Sequence, residues 1–279
     1  MTENETTTIK SRYVDLPSGQ IHIRGSLDGD TRTPVLLLHM TALSSAVYEQ
    51  ALIPLAESIR PIAIDTPGFG CSDRLDSKPS IEKYSDVVHN LVSELGLKRP
   101  ALVGQHTGTS IAIEYALRHP DDVSALVLCG VPVVTEAQAA ARLEGKQSVE
   151  LDESGSHVTS AWNGSRKKHP RLSLDTATRY LSDELRAGPE SYIEAYTAVY
   201  TYPIERKLAE LSALSVPVLL LYGTEDCIAD LQGRGAEILS GASVLTLDGL
   251  TDFLADDDPA AFADAIKRFL SEQPSSVSC

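Results

Sequence analysis

The segment Gly104-Gln105-His106-Thr107-Gly108 has the frame Gly-x-nucleophile-x-Gly, with a histidine where a serine is the ordinary central residue. An imidazole is the side chain best suited to moving protons near neutral pH. The apolar stretch Arg99-Pro100-Ala101-Leu102-Val103 ahead of it reads as a short buried strand, and Ser110 to Leu117 behind it reads as a helix. A strand, a sharp turn and a helix in that order push the central side chain out at the apex, towards a pocket. Glycines on both sides let the strand and helix backbones close on the turn. The chemistry to expect here is proton transfer by His106, not attack by a hydroxyl.

The elements that must hold this turn follow a repeating order. Tyr13-Val14-Asp15-Leu16 and Ile21-His22-Ile23-Arg24 flank Pro17-Ser18-Gly19 and predict an antiparallel hairpin, with residues 1–11 left disordered. The continuous apolar run Val35-Leu36-Leu37-Leu38 predicts a central parallel strand covered on both faces. A helix from about Val47 to Ser58, a strand at Ile62-Ala63-Ile64 and a helix from Ile81 to Leu95 follow, the last with Val87, Val88, Leu91, Val92 and Leu95 on one face. Further strands are expected at Val123–Cys129, Val216–Leu221 and Ser243–Leu247, and a closing helix from about Pro259 to Leu270. Alternating helices and hydrophobic strands specify an α/β fold with a mostly parallel, doubly wound sheet. From Val133 to Lys207 the text is polar and helical without a buried strand. We read it as a helical cap on the carboxyl edge of the sheet, with the core at about 12–132 and 208–272 of one domain spanning 1–279.

Composition narrows the function classes. The 279 residues are 42% hydrophobic and 23% charged, enough for one large buried core. A formal net charge of −15 disfavours nucleic acid and anionic membrane surfaces as partners. No apolar run approaches the ~20 residues of a membrane-spanning helix. Cys71, Cys129, Cys227 and Cys279 lack metal-type spacing and point to a reducing compartment. The polar, acidic beginning Met1-Thr2-Glu3-Asn4-Glu5 carries no visible signal peptide, so a cytoplasmic location is expected. A small-molecule substrate is the expected partner, and homodimerisation is left open.

Several motifs together resemble the α/β-hydrolase family, over roughly residues 12–272. Leu38-His39-Met40 is similar to the family's oxyanion loop, and Asp65-Thr66-Pro67-Gly68-Phe69-Gly70-Cys71-Ser72 to its Asp-x-x-Gly-x-Gly-x-Ser loop. Tyr222-Gly223-Thr224-Glu225-Asp226 looks like the loop that supplies the catalytic acid. Asp248-Gly249-Leu250-Thr251-Asp252-Phe253 looks like the loop that normally ends Gly-His-Phe. The elbow itself resembles a bacterial subgroup with His-Thr-Gly. The resemblance therefore implies a departure at two positions: His106 replaces the nucleophile and Asp252 replaces the catalytic histidine, while Asp226 stays as expected. The ordinary serine mechanism, a hydroxyl activated by imidazole, is excluded at these positions.

What remains is a His106–Asp252–Asp226 cluster with an oxyanion hole from the backbone N–H groups of Met40 and Thr107. A carboxylate bonded to one ring nitrogen fixes the tautomer and leaves the other nitrogen free to take a proton. Nearby carboxylates raise the proton affinity of the imidazole and burial lowers it, a balance the sequence leaves open. Three chemistries fit: hydrolysis by activated water, proton transfer in a lyase, decarboxylase, isomerase or cyclase step, and nucleophilic attack by the imidazole, whose adducts are labile. A ligand-binding pseudo-hydrolase is the alternative without chemistry. His39, Thr41 and Gln105 beside the turn, and Trp162, Tyr192 and Tyr196 in the helical insertion, are the expected substrate-binding residues. The tyrosines read more readily as packing of the cap onto the core. His39, His106, Asp226 and Asp252 are ligand types for iron or zinc, but their spacing is not metal-specific, and no metal or cofactor is called for. His169, beside Arg166-Lys167-Lys168, reads as solvated surface. Cys71 and Cys227 read as small lining residues and Ser72 as a turn residue.

Overall fold

A computed structural model describes residues 8–27, 29–146 and 151–273. Its eight strands are β1 Lys10–Leu16, β2 Gly19–Gly25, β3 Pro34–Leu38, β4 Arg60–Ile64, β5 Ala101–Gln105, β6 Leu126–Cys129, β7 Val218–Gly223 and β8 Ser243–Leu247. They form one sheet in the order β1-β2-β4-β3-β5-β6-β7-β8. The hairpin and the β2–β4 pair are antiparallel and every other pair is parallel. The expected disorder of residues 1–11 is corrected at its end: Lys10 and Ser11 pair with Gly25 and Arg24. Residues 1–7 lie outside the described residues.

The helices are α1 Glu49–Leu55, α2 Ile81–Glu94, α3 Thr107–Arg118, α4 Glu136–Glu144, α5 Ser156–Lys168, α6 Leu174–Thr201, α7 Ile204–Ser212, α8 Gln232–Ile238, α9 Leu254–Asp257 and α10 Pro259–Ser271. Side chains alternate across each strand, so the apolar runs feed two cores. Leu36, Leu38, Ile62, Leu102, Leu126 and Leu220 face α2, α3 and α7. Val35, Leu37, Ala63, Val103, Val127 and Leu221 face α1 and α10 through Leu52, Leu55, Phe262 and Ile266. Each large aliphatic side chain so buried contributes roughly 1.5–3 kcal/mol. No helix among the described residues is long and apolar enough to cross a membrane.

The sheet order fixes where a ligand can sit. After β3 the chain steps to β4 on one side and then crosses to β5 on the other. The loops leaving β3 and β5 therefore diverge and open a crevice at the carboxyl ends of these strands. His39-Met40 leaves β3 there, and His106 leaves β5. Between β6 and β7 the chain runs through α4, α5, α6 and α7. α6 breaks at Gly188, whose backbone is left-handed (φ 73°), because the following Pro189 removes a helix donor and pushes its predecessor out of the helical region. The segment is tied to the sheet side by Ser44 Oγ to Asp183 at 2.8 Å and by Arg171–Glu225 and Arg179–Asp256 ion pairs of 2.5 Å each.

Candidate active site

His106 is built into the turn between β5 and α3 with φ 46° and ψ −106°, a conformation non-glycine residues rarely take. Its neighbours hold it there. The His106 N–H donates to the Cys129 carbonyl at 2.8 Å, and the His106 carbonyl accepts from Thr109 N–H at 2.9 Å. At Gly108 an added Cβ would stand 2.1 Å from the Leu38 carbonyl oxygen, so only glycine lets α3 start this close to β3. Such strain is tolerated where the surroundings over-determine it.

The ring is mostly enclosed, its side chain 16% exposed, and Nε2 lies 3.1 Å from Asp226 Oδ2. Gly130 lies against the same edge: a Cβ there would fall 2.6 Å from His106 Nε2 and 2.7 Å from Asp226 Oδ2. With Nε2 assigned to Asp226, Nδ1 is the nitrogen left for other chemistry. Asp226 is itself fixed by the Ile228 N–H, which donates to Oδ1 at 2.8 Å. Burial works against a charge on the His106 ring, but the Asp226 carboxylate, its hydrogen bond and the charge of Asp252 outweigh it and hold the imidazole above its ordinary range. The reciprocal holds for Asp226: burial opposes its charge, and the His106 ring with the Ile228 N–H keeps it below the usual carboxylate range.

Asp252 is brought to the same place without bonding to His106. Its Oδ2 accepts from Cys227 Sγ at 3.4 Å, and its Oδ1 lies 3.5 Å from His169 Nδ1. Gln105 Nε2 donates to the Asp252 backbone carbonyl and ties that loop to the elbow. His106, Cys227 and Asp252 thereby offer a nitrogen, a sulfur and an oxygen within 4.8 Å of one another. These are donor types for a soft divalent metal. Burial and the Asp252 charge push the Cys227 thiol up to about 12, so it is a thiol at neutral pH and a poor nucleophile.

The loop after β3 completes the arrangement. Thr41 N–H donates to Thr107 Oγ1 at 3.3 Å, and the two threonine hydroxyls lie 2.8 Å apart. The N–H groups of Met40 and Thr107 have no hydrogen-bond partner among the described residues. His39 differs from the expectation that it meets the substrate. It is 1% exposed, its Nδ1 pairs with the Met40 carbonyl at 2.9 Å, and its Nε2 meets Thr66 N and Oγ1 at 3.0 Å. Those bonds also commit both of its ring nitrogens to the protein, apart from the other metal-ligand residue types named from the sequence. Gln105, at 2% exposure, likewise serves the protein interior. Asp65 holds the base of the loop through Ser45 N–H at 2.6 Å, Cys71 N–H at 2.8 Å and His22 at 2.9 Å. Ser72 is a turn residue, as expected, and donates to the Asp65 carbonyl at 2.7 Å.

The helical segment places Tyr192, Tyr196 and Tyr200 in a row, with ring centroids 4.8 and 5.9 Å apart. Tyr196 reaches the loop, its hydroxyl donating to the Thr41 carbonyl at 3.2 Å. Trp162 packs partly buried against the core that contains Phe253. His169 corrects its sequence reading. It caps the end of α5, where the chain turns into Pro170, and the ring is driven down onto Phe253 (edge-on, 5.0 Å) beside Asp252. Burial holds it below the ordinary histidine range. Sequence reasoning missed His169 and Lys146 in this neighbourhood. The His-Pro step at a helix end was the one available signal, and Lys146 had none.

The comparisons agree with this geometry at the level of fold. The sequence profile of the alpha/beta hydrolase fold family matches residues 33–237. A putative non-heme haloperoxidase of Mycobacterium phage D29 is 26% identical over 253 residues, 85% of this chain and 87% of that protein. A 2-(acetamidomethylene)succinate hydrolase of Mesorhizobium japonicum is 28% identical over 136 residues, about half of each chain (49% and 48%). The crystal structure of a bromoperoxidase from Bacillus anthracis superposes with a TM-score of 0.78 at 19% identity, covering 94% of this chain and 100% of that one.

Proposed function

The chain belongs to the alpha/beta hydrolase fold family and is a hydrolase-like enzyme, and from that premise we propose that it hydrolyses a small ester-, lactone- or ketone-like substrate with His106 as general base and no serine nucleophile. The observation that carries the reading is the 3.1 Å contact of His106 Nε2 with Asp226 Oδ2, which leaves Nδ1 at the strained apex as the acceptor. A water held by Nδ1 gives up its proton as its oxygen attacks the substrate carbonyl carbon. The oxyanion so formed accepts from the Met40 and Thr107 N–H groups. Donors of this kind contribute about 10²–10³ in rate each. The imidazolium, stabilised by Asp226, then returns the proton to the leaving group as the tetrahedral intermediate collapses. The helices between β6 and β7 act as a cap that excludes bulk water, with Tyr192, Tyr196, Thr41 and Trp162 towards the substrate.

The experiment is product analysis in ¹⁸O-labelled water over a panel of esters and lactones. Hydrolysis places the label in the acid product, and His106→Ala removes turnover. Turnover without label would replace this reading by proton-transfer chemistry at the same base. Unchanged turnover in His106→Ala would remove His106 from the reaction. A fluorophosphonate probe is expected to leave the protein unlabelled.

A further inference from the structure

The chain carries 39 acidic and 24 basic residues, yet three cations gather on the side of the molecule that His106 shares. Lys146 follows the end of α4, Lys168 ends α5, and Arg142 lies on α4. The Lys146 ammonium is drawn in over aromatic faces, 3.8 Å from the Tyr196 ring centroid and 5.8 Å from that of Tyr192. Tyr196 in turn bonds the Thr41 carbonyl, and Thr41 bonds Thr107, the residue after His106. Lys168 immediately precedes His169, whose ring lies 3.5 Å from Asp252. Among the described residues neither lysine's ammonium makes an ion pair or hydrogen bond with the protein.

Two bland explanations fall short. A helix C-terminus favours a cation by ~0.3–1 kcal/mol when exposed, which accounts for Lys168 on the surface but not for Lys146 withdrawn from it. A tyrosine face attracts an ammonium by ~0.5–2 kcal/mol, but bringing Lys168 and Arg142 near that ammonium works against it. Burial first, and then these two cations, push Lys146 down to about 8. Glu184 on α6 is the carboxylate whose charge reaches Lys146, and its own burial raises it above the usual range. The charge of Lys168 also reaches Asp226, but Asp226 is paired with His106, so among the described residues no carboxylate is paired with either ammonium. A half-buried ammonium without a paired counter-charge is poised to take up an anion.

We propose that Lys146 and Lys168 form an anion subsite at the roof of the His106 pocket, which binds a carboxylate carried by the substrate while the reacting carbonyl lies over His106. The orientation over His106 rests on the general-base reading. The subsite itself is tested without turnover. Calorimetric titration with glutarate, its neutral isostere glutaramide and inorganic phosphate is run on wild type, His106→Ala, Lys146→Met/Lys168→Met, Lys168→Met alone and the remote control Lys78→Met/Lys98→Met. Glutarate is expected to bind wild type and His106→Ala alike, more tightly than glutaramide or phosphate. The double variant removes both ammonium donors and should weaken glutarate binding at least roughly tenfold. The single Lys168→Met, at an exposed helix end, should weaken it about threefold, and serves if the double variant does not fold. No saturable binding, equal affinity for glutaramide, stronger binding of phosphate, or an equal loss in the remote control overturns the proposal. Binding kept by a His106→Ala variant that has no turnover supports the subsite whatever becomes of the base.

Discussion

The elbow and the helical segment above it are built on opposite terms. Around His106 nearly every polar atom is spoken for by the protein: the backbone by Cys129 and Thr109, Nε2 by Asp226, the adjoining loop by Thr107 and His39. Across from it, α4, α5 and α6 and the residues that follow α4 present tyrosine faces, a lysine with no paired carboxylate among the described residues and a helix broken at Gly188-Pro189. The first region has been given its geometry in advance, as proton transfer requires. The second leaves the Lys146 ammonium over a tyrosine face with no paired carboxylate among the described residues. On the proposed reading, reaction type is written in the sheet and selectivity in the helices.

The largest expected effect tests the first half of that contrast. His106→Ala should lower kcat/KM by about 10²–10⁴, the range of a general base; a small change would place the chemistry elsewhere. Asp226→Asn should cost less, on the order of 10–10²-fold, and should also move the pH profile. The base works as neutral imidazole, so activity rises as pH climbs through the His106 pKa, which Asp226 holds above its ordinary value near 6.5. Wild type should therefore show its acidic limb above about pH 6.5, and Asp226→Asn should shift that limb to lower pH. A limb that does not move would deny the pairing.

Stability supplies a further check with its own sign. The folded-state pKa of His106 is raised, so its bond to Asp226 contributes stability fully below the unfolded pKa and loses it as pH rises through the folded one. His106→Ala should then destabilise more at about pH 5.5 than at about pH 9 in urea titrations, taking ~6.5 as the unfolded value. The smallest effect sharpens the second half of the comparison. Tyr196→Phe removes the 3.2 Å bond to the Thr41 carbonyl and should cost about 1 kcal/mol of stability. It should leave the acidic limb of the pH profile where it was, since Tyr196 does not touch the ring.

Much of this is legible in the chain. The runs Val35–Leu38 and Leu219–Leu221 read as central strands, because both alternate faces are apolar and each run is short. The Gly-x-His-x-Gly frame puts an imidazole at the apex, and Gly108 of that frame is where a side chain would push into the Leu38 carbonyl. Two expectations fail for one reason. His169 looks solvated beside three cations, and Gln105 looks available next to the base, because sequence neighbours suggest exposure while burial depends on segments far away. Phe253 and Asp252, more than 80 positions from His169 along the numbering, enclose it.

The sequence by itself determined the sheet, the turn and the identity of the group at its tip, since hydrophobic period and glycine placement are local properties. Only the tertiary structure decided which carboxylate takes the ring, that burial loses to charge at His106, and that Lys146 ends over Tyr196. Those outcomes depend on distances between atoms contributed by four separate crossings of the chain, and an electrostatic energy that varies with distance and dielectric has no counterpart in the order of residues.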